Sequence, residues 1–135
     1  MGRILYEELS RKVIGLAMDV LNELKPGLDE KLYERALIVG LRMAGHDVDA
    51  QRMFPVSYRG ELIGNLTPDL IVDGKIIVDP KVVSAFNEAH IAQMVGYLAI
   101  SGLELAILLN FKNSRLGWKR VIRDQQDDID ANLQA

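Results

Sequence analysis

With 135 residues, 49% of them hydrophobic, the chain can bury the core of one domain and is too short for two. It has no cysteine, which excludes disulfides, thiolate zinc sites and cysteine-ligated iron–sulfur clusters. The formal charge of −3 is unevenly spread: four of the 19 acids (Asp124, Asp127, Asp128, Asp130) fall after Arg123, and residues 1–123 carry 16 bases against 15 acids, a net +1.

The first eight residues place Glu7 and Glu8 where a signal peptide needs its apolar core. No stretch approaches ~18 apolar residues, so a soluble, cytoplasmic protein without a membrane partner is the expectation. A helix is predicted from about Tyr6 to Leu24, where Val13, Ala17, Val20 and Leu24 recur at helical spacing before Pro26-Gly27. A second runs from about Asp29 to Ala44 and stops at Gly45. Strands follow at Val48 to Phe54, Val56 to Tyr58 and Leu62-Ile63, the last two around an Arg59-Gly60-Glu61 turn. A third helix spans about Asn87 to Ser101, then a buried strand Leu105 to Leu109 and a basic strand near Leu116 to Ile122. Lys112, Arg115, Lys119, Arg120 and Arg123 make an acid-free run that suits phosphates or, equally, a solvated edge strand. The expected organisation is one domain over 1–123 and a flexible acidic segment over 124–135.

The chain is organised around Gly64 to Lys81. Leu70-Ile71-Val72 and Ile76-Ile77-Val78 bracket an Asp-Gly turn signal and read as a buried hairpin. Asp69 precedes the first run, Asp79 follows the second, and Lys81 comes two residues later on the same side of an extended chain. Such charges beside apolar strands are costly unless something uses them. The loop length decides whether they meet. A two-residue Asp73-Gly74 turn sets Asp69 opposite Val78 and sends Asp79 to the other face. A three-residue loop of Val72-Asp73-Gly74, with Gly74 left-handed, pairs Asp69 with Ile77 and puts Asp69, Asp79 and Lys81 on one face. A shared ion requires the odd loop or a bulge.

Gly27-Leu28-Asp29-Glu30-Lys31-Leu32-Tyr33 has the form G-x-x-E-x-x-Y, and the chain from about Leu9 to Ile122 resembles the family named after that motif, within the PD-(D/E)xK nuclease superfamily. Pro68-Asp69, Asp79-Pro80-Lys81 and Gln93-Met94-Val95-Gly96-Tyr97 match, in order, the PD, (D/E)xK and Q-x-x-x-Y elements of its exonuclease-like branch. The resemblance implies an α/β fold of the α+β type, a restriction-endonuclease-like core with a central mixed sheet flanked by helices in the order ααβββ(β)αββ. It implies a metal-dependent nuclease acting on DNA, with RNA left open. Asp69, Asp79 and the Pro80 carbonyl would bind Mg²⁺ or Mn²⁺, oxygen donors suiting hard cations. Glu30 would add a carboxylate from the helix side, and Lys81 would assist the attacking water. Gln93, Tyr97 and His90 share a helical face that could touch the nucleic-acid backbone, joined by Lys112, Arg115, Lys119 and Arg120 from the basic run.

Three positions depart from the family pattern: Leu21 stands where a first-helix histidine is usual, Asp79 where Glu is usual, and Pro80 separates the acid from the lysine. Proline removes a ladder donor, so the strand is expected to end, bulge or stand unpaired there. Each site residue also has a plainer role. Glu30 suits a helix start, Tyr33 and Tyr97 suit a core with a hydrogen-bonded tip, His90 suits a structural position, and Trp118 is expected to pack. The alternative to an enzyme is a nuclease-fold protein without turnover, serving as a nucleic-acid-binding or protein-interaction module. A homodimer would add to the small surface that one such domain offers a duplex.

Overall fold

The computed structural model describes residues 4–123, and the acidic segment expected over 124–135 lies outside the described residues. Two helices open the fold, α1 (Glu7–Leu24) and α2 (Glu30–Met43). Each is amphipathic: α1 buries Val13, Ile14, Ala17 and Leu21, and α2 buries Tyr33, Leu37 and Leu41. The tight link between them is locked by Tyr33. Its hydroxyl donates to the Lys25 carbonyl at 2.6 Å and accepts from the Leu28 N–H at 3.1 Å, while its ring stacks on Phe111 at 4.7 Å. Tyr33 is thus a core aromatic with a satisfied polar tip.

Five strands precede the third helix, as many as the residue patterns gave and more than the order ααβββ(β)αββ implied: β1 (Val48–Ala50), β2 (Phe54–Tyr58), β3 (Glu61–Leu66), β4 (Leu70–Val72) and β5 (Ile76–Lys81). The single strand expected from Val48 to Phe54 is broken because Gln51 adopts a left-handed φ of 67°. Beyond it, β2 and β3 form a separate two-stranded sheet with a bulge at Val56/Ser57. Helix α3 (Glu88–Ser101) then leads to β6 (Leu105–Asn110) and β7 (Gly117–Ile122).

The central sheet has the order β1-β4-β5-β6-β7. β5 and β6 run parallel, as a helical crossover through α3 allows, and the other neighbours are antiparallel. This mixed sheet between two helical layers is the expected fold. Alternation along the strands sorts the side chains: Leu70, Val72, Ile76, Val78, Ile107 and Leu109 face α1 and α2, whereas Ile71, Ile77, Ala106, Leu108 and Val121 pack with Met94, Val95 and Leu98 of α3. Leu21, where the resemblance leads one to expect a histidine, is buried in the first of these layers.

Candidate active site at the open end of the central hairpin

The β4–β5 hairpin closes on a three-residue loop, Asp73-Gly74-Lys75, with both Asp73 (φ 53°) and Gly74 (φ 65°) left-handed. The loop has the odd length that a shared site requires, but it lies one residue later than Val72-Asp73-Gly74. Leu70 therefore faces Val78, and the register continued by one residue sets Asp69 opposite Asp79 rather than Ile77. Both carboxylates, with Lys81, lie on the α3 face, in the same alternation as Ile71 and Ile77.

Pro80 neither ends nor bends the strand. The Lys81 carbonyl accepts from the Phe111 N–H at 2.9 Å, so Lys81 turns its backbone to β6, and by alternation Pro80 turns its carbonyl and its missing N–H the other way. On that side β4 stops at the Leu70–Val78 pair. No ladder bond is lost, and the Pro80 carbonyl faces an edge where no strand takes it. Asp79 and Lys81 remain aligned, with Lys81 Nζ 3.4 Å from Asp79 Oδ1.

Electrostatically the site is unsatisfied. Asp79 is 4% exposed, and its Oδ1 has no hydrogen-bond partner; the Lys81 ammonium is near but beyond a good bond. Burial raises the Asp79 carboxyl, the nearby Lys81 charge and the neighbouring Asp69 carboxyl oppose this, and the balance stays above the ordinary value. Asp69 is pushed up to about 7, first by burial and then by the charges of Asp79 and Glu34. Two facing carboxylates of this kind cannot both ionise comfortably without a cation.

The helix side brings a residue that sequence reasoning missed. Glu30 is exposed on the first turn of α2, and its influence on Asp69 is smaller than that of Glu34 one turn later. Glu34 is 6% exposed, its charge bears on both Asp69 and Asp79, and Lys31 pairs with it at 2.9 Å. Its signal was there: Glu34 falls on the apolar stripe of α2, between Tyr33 and Leu37, where an unpaired carboxylate is costly. Of the two glutamates, Glu34 bears more strongly on Asp69 and also bears on Asp79.

From α3, Gln93 Nε2 donates to the Tyr97 hydroxyl at 3.1 Å. The Tyr97 hydroxyl is raised by burial and then by the charges of Asp79 and Asp69, so it borders the site. His90 is engaged elsewhere. Its Nδ1 accepts from the Asn87 N–H at 3.1 Å while its own N–H donates to Asn87 Oδ1 at 2.9 Å, a reciprocal cap that starts α3. The basic run does not form one surface. Lys112 and Arg115 sit in the β6–β7 loop, at the same end of the sheet as Lys81, since Asn110 pairs with both Lys81 and Gly117. Lys119 faces the α3 layer, whereas Arg120 turns to the α1 side and donates to the Leu5 carbonyl, a structural tie. Arg123 lies at the far end, donating to the Gly102 carbonyl at 2.9 Å. Trp118, expected to pack, is 47% exposed and lines a largely apolar cavity of about 510 Å³ between α1 and β7, on the sheet face opposite the aspartates.

Among the described residues no three His, Cys, Asp or Glu side chains are grouped closely enough to hold an ion by themselves. The oxygen donors at this end of the strands are the Asp69 and Asp79 carboxylates, which bear on each other electrostatically, and the edge carbonyl of Pro80. That set fits a hard divalent cation of the Mg²⁺ type, which takes one or two carboxylates, keeps water and binds substrate phosphate oxygens.

The model of the PD-(D/E)XK nuclease superfamily matches residues 7–121, and the chain belongs to that superfamily. Among solved structures it is similar to LHK-Exo in complex with dAMP, at 14% identity and a TM-score of 0.50 over 87% of this chain and 80% of that one. A second structure, an alkaline exonuclease (LHK-Exo) from Laribacter hongkongensis, aligns over the same shares with a TM-score of 0.49. The first likeness shows a shared fold. No curated protein matches the chain in sequence. None of the described helices is long and apolar enough to cross a membrane.

Proposed function

We propose that the protein is a metal-dependent nuclease that hydrolyses phosphodiester bonds in DNA. Asp69 and Asp79, with the Pro80 carbonyl, hold Mg²⁺ or Mn²⁺, in keeping with a superfamily whose nucleases generally use divalent ions. An ion held by these residues would supply charge neutralisation at the scissile phosphate and a lowered pKa for the attacking water. Lys81 hydrogen-bonds and orients that water and stabilises the phosphorane-like charge that develops. Glu34 supplies the helix-borne carboxylate expected from Glu30, and its bond to Lys31 keeps it compensated until substrate and ion arrive. Gln93 and Tyr97 border the site on the α3 side, and Lys112 and Arg115 meet flanking phosphates. The G-x-x-E-x-x-Y resemblance around Gly27 and Tyr33 and a homodimeric assembly belong to the same reading.

The observation that carries it is the pair Asp69–Asp79 at the open end of the hairpin: a fully buried Asp79 Oδ1 without a hydrogen bond, with the Lys81 ammonium 3.4 Å away. The test is cleavage of supercoiled plasmid and of a labelled single strand with Mg²⁺ or Mn²⁺, beside Asp69→Ala and Lys81→Ala. Metal-dependent cleavage lost in both variants supports the proposal, and equal cleavage by either variant defeats it. The absence of a ready three-carboxylate cluster among the described residues favours a second reading, a binding module without turnover. DNA affinity with no cleavage by the wild type would select it.

A further inference from the structure

β6 is buried along its whole length, and five of its six residues are apolar; the sixth, Asn110, is 9% exposed. A buried amide is costly unless its donors and acceptor are used. Asn110 uses both ends. Its Nδ2 donates to the Val83 carbonyl at 2.8 Å, and its Oδ1 accepts from the Val83 N–H at 3.2 Å and from the Lys112 N–H at 3.1 Å. The side chain thus bonds both backbone groups of Val83 as a neighbouring strand would, carrying the hold on the chain two residues past Lys81, where β5 ends.

That hold matters because Lys81 is supported from one side only. β4 has stopped at Leu70, Pro80 has no N–H, and Asn110 is the residue paired with Lys81 in the parallel register. The same Oδ1 grips the loop that carries Lys112 and Arg115. Across the antiparallel pair stands Gly117, where a Cβ would come into contact with the Asn110 Cβ at 3.4 Å.

Building on the nuclease reading, we propose that Asn110 is a positioning residue that fixes Lys81 and the Lys112–Arg115 loop in one frame, so that the water-orienting ammonium and the phosphate-binding loop keep a constant separation. An apolar residue there preserves the packing and releases both.

The experiment compares wild type, Asn110→Ala and Asn110→Asp by amide exchange at Val83 and Lys112, Mn²⁺ titration calorimetry and DNA cleavage at saturating substrate. In Asn110→Ala both amides exchange about tenfold faster, the worth of one lost hydrogen bond. Its kcat falls about 10²-fold, the cost of misplacing a reacting group by roughly an ångström. Mn²⁺ affinity stays within about threefold, because Asp69 and Asp79 keep their places. Asn110→Asp, which retains both Oδ1 bonds, restores the exchange protection and part of kcat; it carries the comparison with wild type should Asn110→Ala fail to fold. Unchanged protection, unchanged kcat, or a loss of Mn²⁺ affinity in step with kcat overturns the proposal. A wild type that cleaves nothing overturns it through the reading beneath, and lost amide protection in Asn110→Ala then marks the nuclease reading as the part that failed.

Discussion

The two ends of the β4–β5 hairpin carry aspartates in opposite states. At the closed end Asp73 is satisfied: its carboxylate meets His46 Nδ1 at 2.9 Å and accepts from the Asp47 N–H at 2.9 Å. Burial alone would raise it, but those hydrogen bonds and the charges of His46 and Lys75 more than reverse this, and its carboxyl lies below the usual range. At the open end Asp69 and Asp79 face each other, both raised, with one oxygen orphaned. A carboxylate that the fold has finished with is structural; one left short of partners is held ready for a ligand.

The sharpest way to break this comparison is chemical. Lys81→Ala is expected to lower kcat by about 10²–10³, the range for removing one charge-stabilising donor, whereas Asp73→Asn leaves cleavage unchanged. Next in size is the contrast on α2. Glu34→Gln should cost about 10- to 100-fold in metal affinity or rate, and Glu30→Gln little, read by calorimetry and initial rates.

Stability offers a third contrast, because the same substitution takes opposite signs at the two ends. Asp69 binds its proton more tightly in the folded state, so the folded chain holds more protons between pH about 4 and about 7, and metal-free stability falls as pH rises through that window. Asp69→Asn should therefore raise the metal-free Tm at pH 8 by roughly 2–4 °C, and saturating Mg²⁺ should stabilise the wild type and not the variant. Asp73 has a depressed folded value, so its contribution is present above the ordinary carboxylate pKa and is lost as pH falls through the depressed one. Asp73→Asn keeps the left-handed turn but loses the charge facing His46, and should destabilise by about 0.5–1 kcal/mol at pH 6 in urea melts. The smallest effect concerns the substrate: Lys112→Ala should reduce the salt slope of DNA affinity by about 0.9, and Arg120→Ala should leave that slope alone.

Much of this was legible in the chain. Periodicity located the three helices, and the apolar runs at 70–72, 76–78 and 105–109 located the buried strands. The odd loop followed from asking how Asp69 and Asp79 could share a face. What escaped were features that neighbouring segments decide. The break at Gln51 needs a left-handed non-glycine residue that nothing in its type announces. Glu30 fitted the motif while Glu34 fitted the geometry, since which turn of α2 reaches the aspartates depends on how the helix seats on the sheet. Asn110 looked like the end of an apolar strand until its partners at Val83 and Lys112, far away or across a turn, came into view.

Local pattern was enough to place the three helices, the buried strands, and Asp69, Asp79 and Lys81 at the ends of two of those strands, because side-chain period and turn residues act over a few positions. Only the tertiary structure decided the register that sets Asp69 against Asp79, the free edge that lets Pro80 stand in a strand, and the division of the basic run between the two sheet faces. These depend on which strands become neighbours, and pairing between segments tens of residues apart is chosen by the packing of the whole core.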